Sequence, residues 1–484
     1  MKTPAKVFAA ALLLASAVSA LAGVHYVDVN STNATPPYTS WATAATNIQD
    51  AVDAAVPGDE IVVTNGIYAT GGRAINGSTT NRVAVDKALS LRSINGPEFT
   101  TIDGAYGGRC VYLTNGASLL GFRLIHGLAL SGAGISCEST NAVVSNCVLS
   151  DNLTSFPEGR NLLGIGGGAN GGTLNTCTLI GNSAIASGDN AFGGGAAYCT
   201  LNNCTLSSNS ARGGNSGGSG GGAAFCTLNN CTLITNSASY GGGAWSSTLN
   251  NCTLSGNSAG SGGGAYGGTL NNCIVYFNTA SLGANYDFTC TLNYSCTTPQ
   301  PTNGFDNITN APLFVDQASG NLRLQSNSPC INAGLNVFAP AGLDLDGLPR
   351  IKGGTVDIGA YEIQLPASMI SYAWLQQYGL LPANGSTDNA DPDGDGVNNY
   401  GEWLAGSDPT NPFSFPPLLT LIPYGANVIL TWPTNAVGFT LQSTTNLGSP
   451  ALWSTNSPAP VVIGGQNVII NPVAGPQQFY RLSQ

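Results

Sequence analysis

The sequence predicts an all-β protein: a parallel β-solenoid, then a short helical linker with a calcium loop, then a small C-terminal β-sandwich. Three observations predict it. Gly supplies 65 of 484 residues, about 13% where roughly 7% is usual, and Gly disfavours helix interiors. Charged residues make up only 8% of the chain and apolar residues 42%, so the disorder signature of low hydrophobicity with high charge is missing. The segment Thr-Leu-Asn-Asn-Cys-Thr-Leu starts at Thr200 and recurs at Thr227, Thr248 and Thr269, the last copy reading Ile-Val after its Cys, with a looser copy from Thr173.

The repeat sets the architecture. Cys147, Cys177, Cys204, Cys231, Cys252 and Cys273 align at spacings of 30, 27, 27, 21 and 21 residues. Leu-x-x-Asn-Ser-Ala follows, as in Leu206 to Ala211 and Leu254 to Ala259, and Gly-Gly-Gly-Ala precedes most copies. Two short strands and a turn fit in 21 residues, whereas a helical repeat of that length would not tolerate three glycines. Such a unit cannot bury its apolar side chains alone, so neighbours must stack. Strict alternation would send Leu201 and Cys204 to opposite faces. A bend at Asn202-Asn203 restores the phase, because Asn accepts the left-handed conformation. Coils about 4.8 Å apart then pile Leu, Asn and Cys into columns. The longer copies carry their extra residues at one position of the coil, around Ser155–Leu163, Ala186–Ala191 and Arg212–Ser219, and are expected to wall a shallow groove.

Met1 to Ala22 reads as a secretory signal: Lys2 and Lys6, the apolar run Val7 to Val18, then Ala20-Leu21-Ala22. About a dozen apolar residues fall short of the ~20 that span a bilayer, and no later segment is apolar enough to cross one. The expected divisions are signal 1–22, solenoid 23–365, linker 366–412 and sandwich 413–484. Asn47 to Ala55 places Ile48, Val52 and Ala55 on one helical face, a cap for the open first coil. Pro57-Gly58-Asp59 turns the chain into Ile61-Val62-Val63, the expected first strand, and His25 is expected as an ordinary strand residue. Asp357 to Glu362 is expected to close the far end.

Most of the 13 cysteines fall in ladder register. Side chains projecting in parallel do not easily reach the torsion of an S–S bond, so a column of reduced thiols is expected. Disulfides involving Cys199, Cys226, Cys290, Cys296 or Cys330 stay open. No C-x-x-C and no accompanying His suggest zinc.

With Lys+Arg 14 against Asp+Glu 25, the formal charge is −11, which excludes a nucleic-acid binder built on a basic patch. From Gly164 to Gln300 the only ionisable Asp, Glu, Lys, Arg or His residues are Asp189, Arg212 and Asp287. Glycosidases need two carboxylates flanking one bond, and these coils do not supply them. An earlier cluster, Arg123, His126, Glu138, Asp151, Glu158 and Arg160, is the place to look for an active site, with Arg123 or His126 as base; the alternative is turn solvation. Asp344, Asp346 and Arg350 suit either a cation or, more simply, a turn held by carboxylate–guanidinium bonds.

The alternation of Gly-Gly-Gly-Ala with Leu-x-x-Asn-Ser-Ala resembles the short repeats of bacterial polymorphic outer-membrane proteins. The coil length and bend Asn resemble the right-handed parallel β-helix of the pectate-lyase-like class. Ser328-Pro329-Cys330-Ile331-Asn332-Ala333-Gly334, then Asp344 to Arg350, then Asp357 to Glu362 are similar to the ending of secreted β-helix proteins of the choice-of-anchor type. The resemblance spans roughly Val24 to Glu362. It implies the right-handed winding and, for lyases of this class, bound calcium with a Lys or Arg base, which the central coils lack.

Asp391-Pro392-Asp393-Gly394-Asp395-Gly396-Val397-Asn398-Asn399-Tyr400-Gly401-Glu402 satisfies the twelve-residue calcium-loop pattern. Asp391, Asp393 and Asp395 supply oxygens, Gly396 makes the sharp turn, the Val397 carbonyl follows, Asn399 acts through water and Glu402 closes with two oxygens. Pro382, Asn384 and Gly385 interrupt the run between a helix near Ser371–Tyr378 and the loop. Only one complete copy is present, so the segment resembles the single loops of dockerin-like or thrombospondin-type-3-like linkers, and its expected role is to stiffen the joint. Beyond Asn411-Pro412-Phe413, strands are expected at Leu418–Ile422, Val428–Trp432, Phe439–Gln442, Val461–Ile463, Val468–Asn471 and Phe479–Leu482. Trp432 and Trp453 suit core packing, with a sugar platform as the alternative.

The function expected from the sequence is that of an exported, non-catalytic β-helix at the surface of a bacterium or outside it, a monomer serving adhesion or polysaccharide binding, with polysaccharide or cell-surface components as partners and Ca2+ held structurally. The alternative is a polysaccharide lyase or glycoside hydrolase acting on the early coils.

Overall fold

The computed structural model describes residues 22–75, 79–154, 163–187, 190–214, 217–414, 419–434, 439–447, 452–455, 458–464, 466–472 and 477–483. The expected signal, Asp189, Glu158, Arg160 and the middle of each expected insert lie outside them. The chain divides into two compact units, one built on the chain up to Gln364 and one from Leu365 onward.

The first unit is a parallel β-helix with three walls. In one coil the first wall holds Ala196–Ala197 and Thr200–Asn202, the second Thr205–Ser207 and the third Ser210–Arg212. The repeats superpose residue on residue: Thr200 pairs with Thr227, then Thr248, Thr269 and Thr291. Leu206 pairs with Leu233, then Leu254 and Val275. The first-wall sheet has 19 strands and the second-wall sheet 10. The bend falls where the phase argument requires it, with φ of 53° at Asn203, 52° at Asn230, 50° at Asn251 and 50° at Asn272. A second left-handed corner stands at Ser208 and Thr235, φ 55° at each, which the sequence does not announce. The Gly triplets close the coil. Gly220 adopts φ +68°, and a Cβ on Gly194 would lie 2.3 Å from the Ser210 carbonyl oxygen, so no larger residue fits.

Inside, like stacks on like. Leu201, Leu228, Leu249, Leu270 and Leu292 are buried in one column. All 13 cysteines are buried as free thiols. The Cys177 N–H donates to Cys204 Sγ at 3.4 Å and the Cys204 N–H to Cys231 Sγ at 3.4 Å, a pattern that continues through Cys252 to Cys273. Burial holds the Cys204, Cys231 and Cys252 thiols well above the ordinary value, so the nucleophilic thiolate is suppressed. The Asn of each Leu-x-x-Asn-Ser-Ala segment forms an inner amide ladder. Asn209 Nδ2 donates to Leu179 O at 2.9 Å and Asn236 Oδ1 at 3.0 Å, while Asn209 Oδ1 accepts from Asn182 N and Nδ2, both at 3.0 Å. These amides are buried and each is bonded to the coil above and below.

The N-terminal cap is a helix over Ile48–Ala54, capped by Asn47, whose side chain accepts from Asp50 N. It buries Ile48, Ala51 and Val52. Gln49 answers both backbone groups of Ala84, accepting at 2.7 Å and donating at 3.3 Å, which protects a strand edge. Val24–Val27 is the first strand and pairs with Glu60–Val63, so Ile61-Val62-Val63 lies on the second, and His25 is a strand residue as expected. It is buried, with Nδ1 2.6 Å from Pro37 O and Nε2 3.0 Å from Asp59 Oδ2.

The segment expected to close the far end runs along the flank instead. Asn203 and Asn230 donate through Nδ2 to Leu343 O at 3.1 and 3.0 Å, and Asn251 donates to Asp357 O at 3.1 Å. Gly359 N–H donates to Asn272 O at 2.8 Å and Ala360 N–H to Thr253 Oγ1 at 3.1 Å. The cause is the bend itself: a left-handed Asn turns its amide outward, and the passing backbone satisfies it. Asp344 and Arg350 form a buried turn rather than a cation site. Asp344 accepts backbone N–H groups of Asp346, Leu348 and Glu362, Arg350 pairs with Glu362 at 3.2 Å, and Asp346 pairs with Arg323.

In the second unit all six expected strands occur, as Thr420–Tyr424, Asn427–Pro433, Thr440–Thr444, Val461–Ile463, Gln466–Pro472 and Phe479–Ser483. They form antiparallel four- and two-stranded sheets around Val428, Leu430, Trp432, Leu441 and Ile469. Trp432 is core, and Arg481 lies over the Trp453 ring, 4.3 Å from its centroid. Among the described residues no helix is long and apolar enough to cross a membrane.

Two outcomes follow. Asn209→Ala removes three bonds to the preceding coil, at Leu179 and Asn182, and one to Asn236, and leaves Asn182 short of partners, a cost of about 1–3 kcal/mol. Its thermal midpoint is expected well below that of Asn202→Ala on the outer face, and equal midpoints would contradict the inner ladder. A thiol reagent is expected to label no cysteine in the native protein and all of them after denaturation, read by intact mass.

Candidate functional site

Two places in the structure gather groups with unused chemistry. The first is the acidic loop. A one-turn helix over Gly385–Asp388 precedes it and a helix over Asn399–Ala405 follows, ended by Gly406 at φ 68°. The helix expected near Ser371–Tyr378 is present as Tyr372–Gln377. The loop is wound by its own carboxylates: Asp391 Oδ1 and Oδ2 accept from Gly394 and Gly396 N–H, and Asp395 Oδ1 accepts from Val397 N–H at 2.8 Å. Carboxylate oxygens of Asp391, Asp393 and Asp395 lie within 4.8 Å of one another.

Buried oxygens complete the set. Glu402 and Asn399 are fully buried, and Asp393 Oδ2, Asp395 Oδ2, Asn399 Oδ1 and Glu402 Oε2 have no hydrogen-bond partner. Glu402 Oε1 takes only a 3.3 Å bond from Ser407 Oγ. Burial first, then the charges of Asp393, Asp395 and Asp391, pushes Glu402 up to about 7. Orphaned carboxylate oxygens that repel one another are costly, and an all-oxygen donor set of this kind fits a hard divalent cation. Asn399 Nδ2 is tied to Thr387 O at 2.7 Å, which fixes the amide with its oxygen free.

The early-coil cluster does not converge. Glu138 is held by Tyr112, by Thr114 Oγ1 at 2.5 Å and by Asn115 N–H. Arg123 Nε donates to Pro97 O at 3.5 Å, and Asp151 is exposed on a left-handed corner, φ 56°. The coil phase sends these residues to different corners. His126 is the exception: its Nδ1 lies 3.1 Å from Asp103 Oδ1 and Tyr106 packs on its ring. Farther along, Asp287 is buried and spends Oδ1 on Thr289 N–H and Oγ1, and Arg212 ends the third-wall strand Ser210–Arg212.

The second place was missed in the sequence. On the outer face of the first wall, Tyr198 and Phe225 occupy the same position in successive coils, and Gly171 and Gly267 hold that position nearby. All four are left-handed: φ is 55° at Tyr198, 54° at Phe225, 72° at Gly171 and 64° at Gly267. A bulky residue there costs about 1–2 kcal/mol where Gly would cost nothing. The Tyr198 and Phe225 rings stack 4.9 Å apart at 9°. Trp245 meets Phe225 edge-on at 4.6 Å, and Phe192 lies 5.5 Å from Phe225 and 5.3 Å from Trp245. Tyr198 is 50% exposed; the others are half-buried.

The inserts explain Phe192. Their flanks return to register as a three-stranded parallel sheet of Gly164–Ile165, Ala191–Phe192 and Gly218–Ser219, seated on a small cluster of Ala184, Ala186, Ala191 and Ala211. Beside the aromatics runs an outer amide column: Asn202 Nδ2 donates to Asn175 Oδ1 at 2.9 Å, Asn229 to Asn202 at 2.9 Å and Asn250 to Asn229 at 3.0 Å.

A chain of this build is a parallel β-helix, as the strand pairings above establish. Among solved structures it is similar to pectate lyase Pel9A, with 15% identity, a TM-score of 0.46 and coverage of 70% of this chain and 96% of that one. It is similar to a rhamnogalacturonan lyase at 11% identity and TM-score 0.31, covering 63% and 95%. It is also similar to a pectin methylesterase in complex with a hexasaccharide at 10% identity and TM-score 0.22, covering 56% and 78%. No family model matches the chain, and no curated protein matches it.

The acidic loop yields a direct test. Chelator-stripped protein titrated calorimetrically with Ca2+ is expected to show one site with a dissociation constant of about 10⁻⁵–10⁻³ M, and Asp393→Ala with Glu402→Ala is expected to abolish it. Wild-type heats equal to those of the double variant would rule the site out.

Proposed function

We propose that this protein is an exported, non-catalytic β-helix that binds extracellular polysaccharide on the aromatic flank of its solenoid, with one structural Ca2+ held by Asp391, Asp393, Asp395, Val397, Asn399 and Glu402. The observation that carries the reading is the ring cluster Tyr198, Phe225, Trp245 and Phe192, in which Tyr198 and Phe225 occupy left-handed positions that favour Gly. Aromatic faces offer apolar area at low entropic cost, and the C–H face of a pyranose ring packs on them. The Met1 to Ala22 segment supports export to the cell surface or beyond. The orphaned oxygens of the acidic loop support the metal. Calcium would neutralise four carboxylates there and stiffen the linker against proteolysis.

A second reading, a polysaccharide lyase or hydrolase on the early coils, is favoured by one observation: His126 is oriented by Asp103 at 3.1 Å, an arrangement that suits a general base.

Retention on immobilised extracellular glycans, with no new reducing ends and no unsaturated uronates released, is the outcome expected. Turnover that disappears in His126→Ala would replace the first reading with the second.

A further inference from the structure

Resting on that reading, we infer that the glycan is a neutral polysaccharide chain lying along the solenoid axis, and that polyuronates are excluded from this flank. The direction comes from the register. Tyr198 and Phe225 stand one coil apart, and Trp245 stands one coil beyond, shifted by one position along its strand. Successive rings are therefore offset along the axis by about 4.8 Å, and a chain following the axis passes over each in turn. A chain crossing the wall would leave the aromatics after one strand.

The neutrality comes from what flanks the rings. The neighbouring first-wall columns are Thr200, Thr227 and Thr248, then Asn202, Asn229 and Asn250. Each amide spends one N–H and one oxygen contact on its neighbours along the column. A primary amide has two N–H donors and two acceptor lone pairs, so one of each remains for a sugar hydroxyl. Hydroxyl and amide pairs suit neutral sugars, which both donate and accept.

Among the described residues a uronate carboxylate finds no charge partner on this flank. Of the three ionisable residues between Gly164 and Gln300, Asp287 is committed to Thr289, Arg212 stands on the third wall and Asp189 is itself an acid. A carboxylate desolvated against the rings would lose hydration without gaining a charge partner. The chain's own net charge of −11 repels polyanions before contact. A site that lacks the counter-charge rejects the charged analogue of a sugar it accepts.

The test uses the full chain with soluble cellohexaose, xylohexaose and mannohexaose against oligogalacturonate and oligoalginate of the same length, followed by calorimetry. At least one neutral oligosaccharide is expected to bind. Tyr198→Ala and, separately, Phe225→Ala are expected to weaken it tenfold or more, with the thermal midpoint checked for each. Tyr198 is the more exposed of the two, so its variant keeps the test valid if Phe225→Ala fails to fold. Binding of uronates alone would overturn the neutral class and leave polysaccharide binding standing. Binding of no oligosaccharide and retention by no glycan would overturn both. Neutral binding unchanged in both folded variants would overturn the assignment to this flank.

Discussion

Everything in the solenoid depends on one constraint: the residue at a given position of a coil lies directly over its counterpart in the next. The side chain must therefore be compatible with a copy of itself about 4.8 Å away. Leu meets this by packing. Cys meets it because a sulfur can accept the next backbone N–H while pointing its own hydrogen at a carbonyl. Asn meets it best, since an amide carries a donor at one end and an acceptor at the other and can chain indefinitely. The buried ladder from Asn152 through Asn182, Asn209, Asn236 and Asn257 to Asn278 does this without a break. A single wrong register would strand every amide in the column, so the ladder fixes register as well as adding stability.

Much of this architecture was readable because the constraint writes itself into sequence as repetition. Leu201, Asn203 and Cys204 together set the phase of the coil, and left-handed Asn203 stands where the phase argument puts it. The acidic loop was readable for a different reason: a loop that winds on its own carboxylates is a local structure. What was not readable is non-local. Nothing in Asp357 to Glu362 says that this segment lies along the bend column rather than over the last coil, because the partners that decide it, Asn251, Thr253 and Asn272, lie about a hundred residues earlier. The grouping of Arg123, His126, Glu138 and Asp151 failed because closeness in sequence is not closeness on a coil. In a solenoid, neighbours in space are one repeat apart, as Asp103 and His126 are.

The aromatic flank carried a signal that was passed over. The residues just after each Gly-Gly-Gly-Ala change from coil to coil: Ala197-Tyr198, Ala224-Phe225, Trp245-Ser246, Tyr266-Gly267. Within a repeat where Leu, Asn and Cys hardly vary, that variation toward aromatics marks two adjacent columns not governed by self-stacking inside the core. The left-handed backbone there explains the cost: Gly is the conformational default, and Tyr and Phe occupy it at the expense of stability.

The same stacking rule explains why charge is so scarce along the coils. Two like charges one coil apart repel by about 1 kcal/mol even in water, and several times more near a protein surface, and a column of them would add that cost at every rung. Repetition therefore drives ionisable groups off the ladders, and Asp189, Arg212 and Asp287 are what remain from Gly164 to Gln300. A solenoid built this way can recognise a long partner only through groups that tolerate their own copies: amides, hydroxyls and aromatic faces. The acidic loop is the converse case. Asp391, Asp393 and Asp395 crowd together with buried Glu402, an arrangement the ladder forbids and one that a divalent cation makes favourable. Charge is thus concentrated where a counter-ion can hold it and absent where the chain must stack on itself.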